Sequence, residues 1–222
     1  MAKRLFDVLF SAAALLAFLP FGLIICAVLK VTGEGEVFYR QQRVGKDGKL
    51  FGVLKFATML EGSEKMGTGL LTVTNDPRVL PFGVFLRKTK LNEVPQLWNV
   101  LKGEMSIIGP RPQAQPHFDL FSPSAQKEIL TVRPGLSGIG SIVFRNEEEM
   151  LGNAGSAASE LYARDIAKHK GELEVWYVRN RAFVKDIVLI LLTVGAVLLP
   201  NVHLYRRIFP DLPQSGLEEL PF

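Results

Sequence analysis

An uncharged run of 22 residues, Val8 to Leu29, constrains the fold of this chain more than any other feature. A helix of about 20 apolar residues is long enough to span the hydrocarbon core of a bilayer. Lys3 and Arg4 precede the run, as in a signal peptide, but no small-residue cleavage site follows it. The sequence therefore predicts a membrane-embedded segment over residues 1–32.

Pro20 lies in the middle of this run and is expected to kink or break its helix, because proline removes a backbone hydrogen bond and clashes with the preceding turn. A kinked helix would cross the membrane, whereas a helix-break-helix hairpin would return to the same face. Lys3 and Arg4 flank one end, and Lys30 and Arg40 follow the other, so the charges give little support to a crossing. The pattern favours a re-entrant hairpin.

The charge balance favours anionic partners. The chain has 26 Lys and Arg against 22 Asp and Glu, which suits nucleic acid, lipid headgroups or sugar nucleotides. The apolar run, and the lack of a basic patch interleaved with aromatic residues, argue against nucleic acid. A single cysteine, Cys26, and three well-separated histidines make a cysteine or histidine metal cluster improbable.

Residues 33–186 have the patterns of a small mixed domain. Two short strands, Glu36–Gln41 and Lys49–Phe56, are joined through a turn-forming segment and predict a β-hairpin. A polar loop, Glu61–Asp76, is expected beside the site. Two short helices are predicted at Val79–Lys88 and Leu91–Leu101.

Residues 187–222 form the third predicted segment. Ile187–Leu199 is an uncharged stretch too short to span a bilayer, and Pro200 ends it. A helix lying at the membrane interface and a buried core helix both fit this stretch. The tail from Pro210 to Phe222 holds three prolines and is expected to lack regular structure.

The densest group of reactive residues lies between Leu86 and Pro112. It combines several cations, the Asn92-Glu93 pair and a Gly-Pro-Arg-Pro turn around Arg111. Cations that bind phosphate and a carboxylate that binds a metal are the components of phosphoryl transfer. An ordinary amphipathic helix is the competing interpretation, in which Asn92 is simply the N-terminal cap.

Two turns hold an arginine beside proline. Pro110 and Pro112 flank Arg111, which reduces the entropy lost when its guanidinium binds an oxyanion. Arg133 precedes Pro134 in a second turn of the same kind. Both arginines are therefore candidate phosphate ligands.

Together these motifs resemble the bacterial sugar transferases, the monotopic phosphoglycosyl transferases that begin glycan assembly on a polyprenol phosphate. The resemblance runs from about Lys3 to Asp186. Besides the Pro-broken apolar segment, it rests on Lys55-Phe-Ala-Thr-Met59, Asn75-Asp-Pro-Arg78, Arg87-Lys-Thr-Lys-Leu-Asn-Glu-Val-Pro-Gln-Leu97, Gly109-Pro-Arg-Pro112 and Val132-Arg-Pro-Gly135.

The resemblance implies a helix-rich α/β fold. A re-entrant N-terminal membrane helix-break-helix would carry a small cytoplasmic catalytic domain with a short β-hairpin and interfacial amphipathic helices. The domain boundaries would be 1–32, 33–186 and 187–222. The expected location is the bacterial inner membrane, with the catalytic domain facing the cytoplasm among membrane lipids, and a homo-oligomer is possible.

The family reaction implies the partners. Sugar 1-phosphate would pass from a nucleotide diphosphate sugar, presumed to be a UDP-sugar, to undecaprenyl phosphate, with Mg²⁺ as cofactor. The product would start an exopolysaccharide, O-antigen, capsule or glycoprotein glycan. In better-known members an Asp-Glu pair acts, the Asp as nucleophile and the Glu as metal ligand. Glu93 matches the metal-binding carboxylate, and Asn92 stands where the Asp is expected.

Asn92 has a chemical consequence, because a neutral carboxamide cannot act as an anionic oxygen nucleophile. Four explanations stay open: an inactive form, attack by Glu93, direct attack by the polyprenol phosphate, or a carboxylate such as Glu104 or Asp119 folding into the site. An inactive form would act as a membrane-bound scaffold or as a donor- or lipid-binding protein. Ala57 is a second departure, because many relatives have Arg there.

The predicted site residues follow from the chemistry and the resemblance together. Arg111 and Arg133 are expected to bind diphosphate or polyprenyl phosphate oxygens, and Lys55 and Arg87 to add positive charge near the metal. Arg145 is a further family-like position for substrate binding.

Overall fold

The computed structural model describes residues 2–198 and 204–215. In these residues the strands are β1 (Phe38–Val44), β2 (Leu50–Phe56), β3 (Ser106–Ile108) and β4 (Gly135–Ser137). The α-helices are α1 (Ala2–Thr32), α2 (Pro81–Lys88), α3 (Gln96–Lys102), α4 (Gln115–Phe118), α5 (Pro123–Ile129), α6 (Ile139–Val143), α7 (Glu147–Ala154), α8 (Ala158–Leu161), α9 (Ala167–Asn180), α10 (Phe183–Leu198) and α11 (Leu204–Ile208). Short 3₁₀ turns lie at Lys46–Gly48, Ser63–Lys65, Leu91–Glu93 and Gly155–Ala157, and one π-helical turn at Tyr162–Ile166. The chain is therefore helix-rich, as expected.

Helix α1 runs without interruption through Pro20. The prediction of a helix-break-helix is therefore wrong in this respect. A proline removes one hydrogen bond and leaves the bonds on either side in place, so a helix can continue across it. Only 11% of the most apolar 18-residue window of α1 is buried, and by length and composition this helix could cross a membrane.

The N-terminal end of α1 is anchored to the rest of the fold by polar contacts. Asp7 is buried, and its carboxylate accepts hydrogen bonds from Ser106 Oγ at 2.8 Å and from the backbone N–H of Ile107 at 3.1 Å. Lys3 Nζ lies 2.5 Å from Asp186 Oδ2. These contacts join the first turns of α1 to β3 and α10.

The C-terminal half of α1 packs against the same domain through apolar side chains. Ile25 and Leu29 are buried in a cluster with Phe56 of β2 and Leu86 of α2. Both ends of the helix therefore contact one domain.

Strands β1 and β2 form the predicted antiparallel hairpin. Phe38 pairs with Phe56, and Tyr39 pairs with Lys55. The turn includes Asp47 in a left-handed conformation (φ 58°), which aspartate tolerates better than most residues. The pairing carries Lys55 towards the charged residues described below.

A second sheet, the parallel pair β3 and β4, has no signal in the sequence, because strands of three residues are too short to show alternation. It brings the Gly-Pro-Arg-Pro turn against the segment that follows Arg133. The N–H of Gly135 donates to the carbonyl of Pro110 at 2.8 Å, and a Cβ at Gly135 would lie 2.1 Å from the backbone nitrogen of Gly109. Glycine is required by this close approach of two backbones.

Helix α10 has one face in the core, as a buried core helix requires, and its place at a membrane interface stays a prediction. Leu189 and Leu192 are buried in the main core, whereas Val184 and Leu191 are exposed. The expected boundary between residues 186 and 187 falls inside this helix. Residues 209–215 have no regular structure, and the rest of the predicted irregular tail, 216–222, lies outside the described residues.

Candidate active site

A cavity of about 480 Å³ lies between the hairpin, the 3₁₀ turn Leu91–Glu93 and the Gly109–Pro112 turn, with α7 and α9 behind it. Its lining is rich in charge. The charged residues that line it include Arg43, Lys55, Arg87, Lys90, Glu93, Arg111, Glu147, Glu148 and Lys170.

Glu93 is the carboxylate around which the predicted cations gather. Its Oε1 accepts a hydrogen bond from Arg111 Nη2 at 2.8 Å, and Lys55 Nζ lies 3.8 Å from the same oxygen. Burial alone would raise the pKa of Glu93, but the charges of Arg111 and Lys55 outweigh it and hold that pKa well below its usual range. Glu93 is therefore ionised at any physiological pH.

The two cations respond differently to this setting. The charge of Glu93 raises the pKa of Arg111 further above its usual value. Burial lowers the pKa of Lys55 to about 7, although Glu93 opposes the shift. Arg111 is therefore always positively charged, whereas a bound anion would raise the pKa of Lys55 and favour its protonated form.

Asn92 lies in the 3₁₀ turn beside Glu93 and is only 6% exposed. Its Oδ1 has no hydrogen-bond partner among the described residues. The prediction that Asn92 caps a helix is wrong: Lys90, with φ 60°, precedes the 3₁₀ turn, and α3 begins only at Gln96. The amide instead lines the cavity.

Arg87 also reaches the cavity wall. Its guanidinium forms an ion pair with Glu148 of α7 and lies 3.7 Å from Met59 Sδ. Three of the predicted basic residues, Lys55, Arg87 and Arg111, therefore line one cavity with Glu93 and Asn92.

Comparison with known proteins decides the family. The profile described as bacterial sugar transferase matches residues 1–200 of this chain. The chain belongs to the bacterial sugar transferase family. It is 37% identical over 213 residues to the exopolysaccharide production protein ExoY of Rhizobium meliloti, covering 90% of this chain and 86% of that protein.

The names of two longer relatives state a reaction. The UDP-glucose:undecaprenyl-phosphate glucose-1-phosphate transferase of Klebsiella pneumoniae is 35% identical over 197 residues, covering 86% of this chain and 39% of that protein. The undecaprenyl-phosphate galactose phosphotransferase of Salmonella typhimurium is 32% identical over 211 residues, covering 88% of this chain and 40% of that protein.

Two predicted ligands of this sugar transferase lie elsewhere. Arg133 donates through Nε to the carbonyl of Gly103 at 2.7 Å, and Arg145 is half-buried just after α6. Neither lines the cavity. Their roles in substrate binding stay predictions that this placement does not favour.

Glu104 and Asp119, the two carboxylates considered as replacement nucleophiles, form hydrogen bonds outside the cavity. Glu104 Oε2 accepts a hydrogen bond from Asn99 Nδ2 at 2.7 Å. Asp119 Oδ1 accepts one from Gln115 Nε2 at 2.7 Å. Neither residue lines the cavity, so neither is placed to replace a missing nucleophile.

Sequence reasoning missed a second group of polar residues that line the cavity. Lys170 Nζ lies 2.6 Å from Glu147 Oε1, and the ring of His117 lies 4.6 Å from that of Tyr162. Burial, with the nearby charge of Arg43, lowers the pKa of His117 to about 4, so the imidazole is neutral near pH 7. These residues come from separate segments, and none stands in a recognisable motif.

Arg78, quoted only as part of a motif, organises the loop that walls the cavity. It is 5% exposed and pairs with Asp76 at 2.6 Å. Its guanidinium donates to four loop carbonyls, those of Ser63, Met66, Gly69 and Leu71. The polar loop is therefore pinned at several points by one buried side chain.

Proposed function

We propose that this sugar transferase moves a sugar 1-phosphate from a UDP-sugar to undecaprenyl phosphate, and so starts assembly of a bacterial surface glycan. The names of its relatives support this reaction class. The observation that carries the proposal is the carboxylate of Glu93 held between Arg111 and Lys55 in a polar cavity.

The cations of the cavity suit the diphosphate of the donor. Its lining includes four cations, Lys55, Arg87, Lys90 and Arg111. Glu93 forms ion pairs with two of them, Lys55 and Arg111. A diphosphate would stabilise the charged form of Lys55, and the planar fork of Arg111 can bind Glu93 and a phosphate oxygen at once. Binding would thus place the phosphorus next to the sugar close to Glu93.

The residues present fit a magnesium ion. Both ion pairs of Glu93 use Oε1, and the buried Oδ1 of Asn92 has no partner among the described residues. No group of three or more His, Cys, Asp or Glu side chains with metal-binding geometry occurs in residues 2–198 and 204–215. Mg²⁺ commonly takes one carboxylate and completes its shell with waters and substrate phosphates. Glu93 and Asn92 would hold it, and it would neutralise charge on the phosphates.

The acceptor itself is our candidate for the nucleophile. Asn92 is neutral, and Arg111 stabilises Glu93 as an anion that is a weak nucleophile. An oxygen of the lipid phosphate would attack the phosphorus next to the sugar. The bond from that phosphorus to the bridging oxygen would break, and the nucleoside monophosphate would leave with the bridging oxygen. Arg111 and Lys55 would stabilise the charge that develops there.

The membrane arrangement follows from α1. A helix of 31 residues is about 46 Å long along its axis and would place its ends on opposite faces of a bilayer if it crossed. One domain contacts both ends through Asp7 and Leu29. This supports a helix that does not cross the bilayer, with the catalytic domain on one face, which we assign to the cytoplasm because the donor is a nucleotide sugar.

The experiment is transfer of radiolabelled sugar from UDP-sugars into the organic-solvent phase, with purified protein in detergent, undecaprenyl phosphate and Mg²⁺. We expect labelled lipid from the wild type. Glu93→Gln should abolish the product, and Glu104→Gln, an acid outside the cavity, is the matched control. Asn92 favours a second candidate, a donor-binding scaffold. Tight UDP-sugar binding without labelled lipid would support that scaffold and overturn the transferase.

A further inference from the structure

One buried carboxylate has no part in the proposed chemistry. Glu174 of α9 is 1% exposed, and its Oε1 accepts a hydrogen bond from the backbone N–H of Arg111 at 3.1 Å. Its Oε2 has no partner among the described residues. A buried carboxyl group with one hydrogen bond is costly, and an apolar side chain at this position would avoid the cost.

Glu174 accepts its hydrogen bond from the one backbone N–H that the turn has available. Pro110 and Pro112 have no N–H, so the amide of Arg111 is the donor available between Gly109 and Gln113. Strand β4 holds the preceding part of the turn, through the N–H of Gly109 to the carbonyl of Ser137 at 3.0 Å. Glu174 holds the residue whose side chain enters the cavity.

Helix α6 leaves room for the carboxylate. A Cβ at Gly140 would lie 2.4 Å from Glu174 Oε1, so the absence of a side chain there makes room for the carboxyl group. The backbone of Arg111, α6 and α9 thus meet at one oxygen atom. Arg111 Nη2, at the other end of the same residue, contacts Glu93 at 2.8 Å.

We propose that Glu174 is a positioning residue: its carboxylate fixes the backbone of Arg111 and so aims the guanidinium at Glu93 and at the phosphates of the donor. This inference rests on the proposed function, because it names the support of the same phosphate-binding arginine.

The protonation state of Glu174 should matter. Burial raises the pKa of Glu174 to about 7; the charged groups that face it are Arg111 and, from its own helix, Lys170, together with the phenol of Tyr177 on that helix. The ionised carboxylate is the stronger acceptor for the N–H of Arg111. The wild type should therefore gain donor affinity relative to Glu174→Gln as pH increases through about 7.

The test is the affinity of the full-length protein for UDP, measured by calorimetry in detergent from pH 5.5 to 8.5, together with the KM for the UDP-sugar. Glu174→Ala removes the acceptor, and Glu174→Gln keeps an acceptor oxygen that cannot ionise. The matched control is Asp7→Ala, because Asp7 is another buried carboxylate bonded to a backbone N–H, that of Ile107 at 3.1 Å, and it does not line the cavity.

We expect Glu174→Ala to weaken UDP binding at pH 8 by about tenfold or more and to raise the donor KM similarly, whereas Asp7→Ala leaves both unchanged. Glu174→Gln should restore most of the affinity, and the wild type should gain affinity over it as pH rises through about 7. Equal effects of the two alanine variants, or a Glu174→Gln pH profile parallel to that of the wild type, would overturn the proposal. If the alanine variant does not fold, the glutamine profile decides. Wild-type protein that binds UDP but transfers no sugar would refute the function alone.

Discussion

Replacing Arg111 with lysine tests whether the site needs a guanidinium or only a positive charge. Nη2 of Arg111 lies 2.8 Å from Glu93 Oε1, and Nη1 lies 3.4 Å from Ser141 Oγ. A lysine keeps the charge and the backbone N–H that contacts Glu174. It loses the planar fork that could bind Glu93 and a phosphate oxygen together.

The magnitude follows from one lost charge-assisted hydrogen bond, which is worth about 2 kcal/mol in a buried site. That loss corresponds to about a 30-fold lower kcat/KM for the UDP-sugar. Arg133→Lys is the informative comparison, because Arg133 also precedes a proline and contacts the carbonyl of Gly103 outside the cavity. We expect it to stay within about twofold of wild type.

The assay is initial-rate transfer of radiolabelled sugar into the lipid phase at varied donor concentration, with both variants purified in the same detergent. Thermal unfolding of each variant checks that it is folded. Arg111→Lys within about threefold of wild type would refute the role of the guanidinium. Equal losses in Arg111→Lys and Arg133→Lys would refute the assignment of the cavity as the donor site.

Three further variants test how the site is supported. Arg78→Lys should lower the midpoint of thermal unfolding and raise the donor KM, because a lysine cannot bond all four loop carbonyls. Faster protease cleavage within the polar loop is the direct readout. Glu174→Gln should gain stability relative to the wild type by up to about 3 kcal/mol as pH rises from about 4.5 to 7. The reason is that a buried acid with a raised pKa destabilises the folded state once the same group ionises in the unfolded state. Denaturant unfolding at several pH values checks this, and parallel curves of unfolding free energy against pH would count against it. Asp7→Ala leaves Ser106 Oγ and the N–H of Ile107 unpaired and should lower the free energy of unfolding by about 2 kcal/mol without changing UDP affinity.

The sequence predicts the larger elements and the centre of the site. The 22-residue apolar run, the hairpin and the helix around α2 have strong local patterns. The cluster of Lys55, Arg87, Glu93 and Arg111 follows from the order of motifs, and the structure brings these residues to one cavity.

The remaining features depend on contacts between distant segments. Strands β3 and β4 have three residues each, and a parallel pair of that length leaves no periodic signal. In the sequence, Glu174 is indistinguishable from an ordinary helical residue. Its role depends on contacts with α6 and with the backbone of Arg111, which are distant in the chain. Arg133 repeats the Arg-Pro pattern of Arg111, yet the turn directs its side chain to Gly103, because the pattern fixes the backbone and leaves the direction of the side chain open.

Release of UMP with and without the lipid acceptor tests the central claim most directly. Purified protein, UDP-sugar and Mg²⁺ are mixed with undecaprenyl phosphate in one sample and without it in the other. Direct attack by the acceptor at the Glu93 site predicts continuous UMP release in the complete mixture and none without acceptor. One equivalent of UMP per protein without acceptor would contradict direct attack, and no UMP in the complete mixture would contradict the transferase itself.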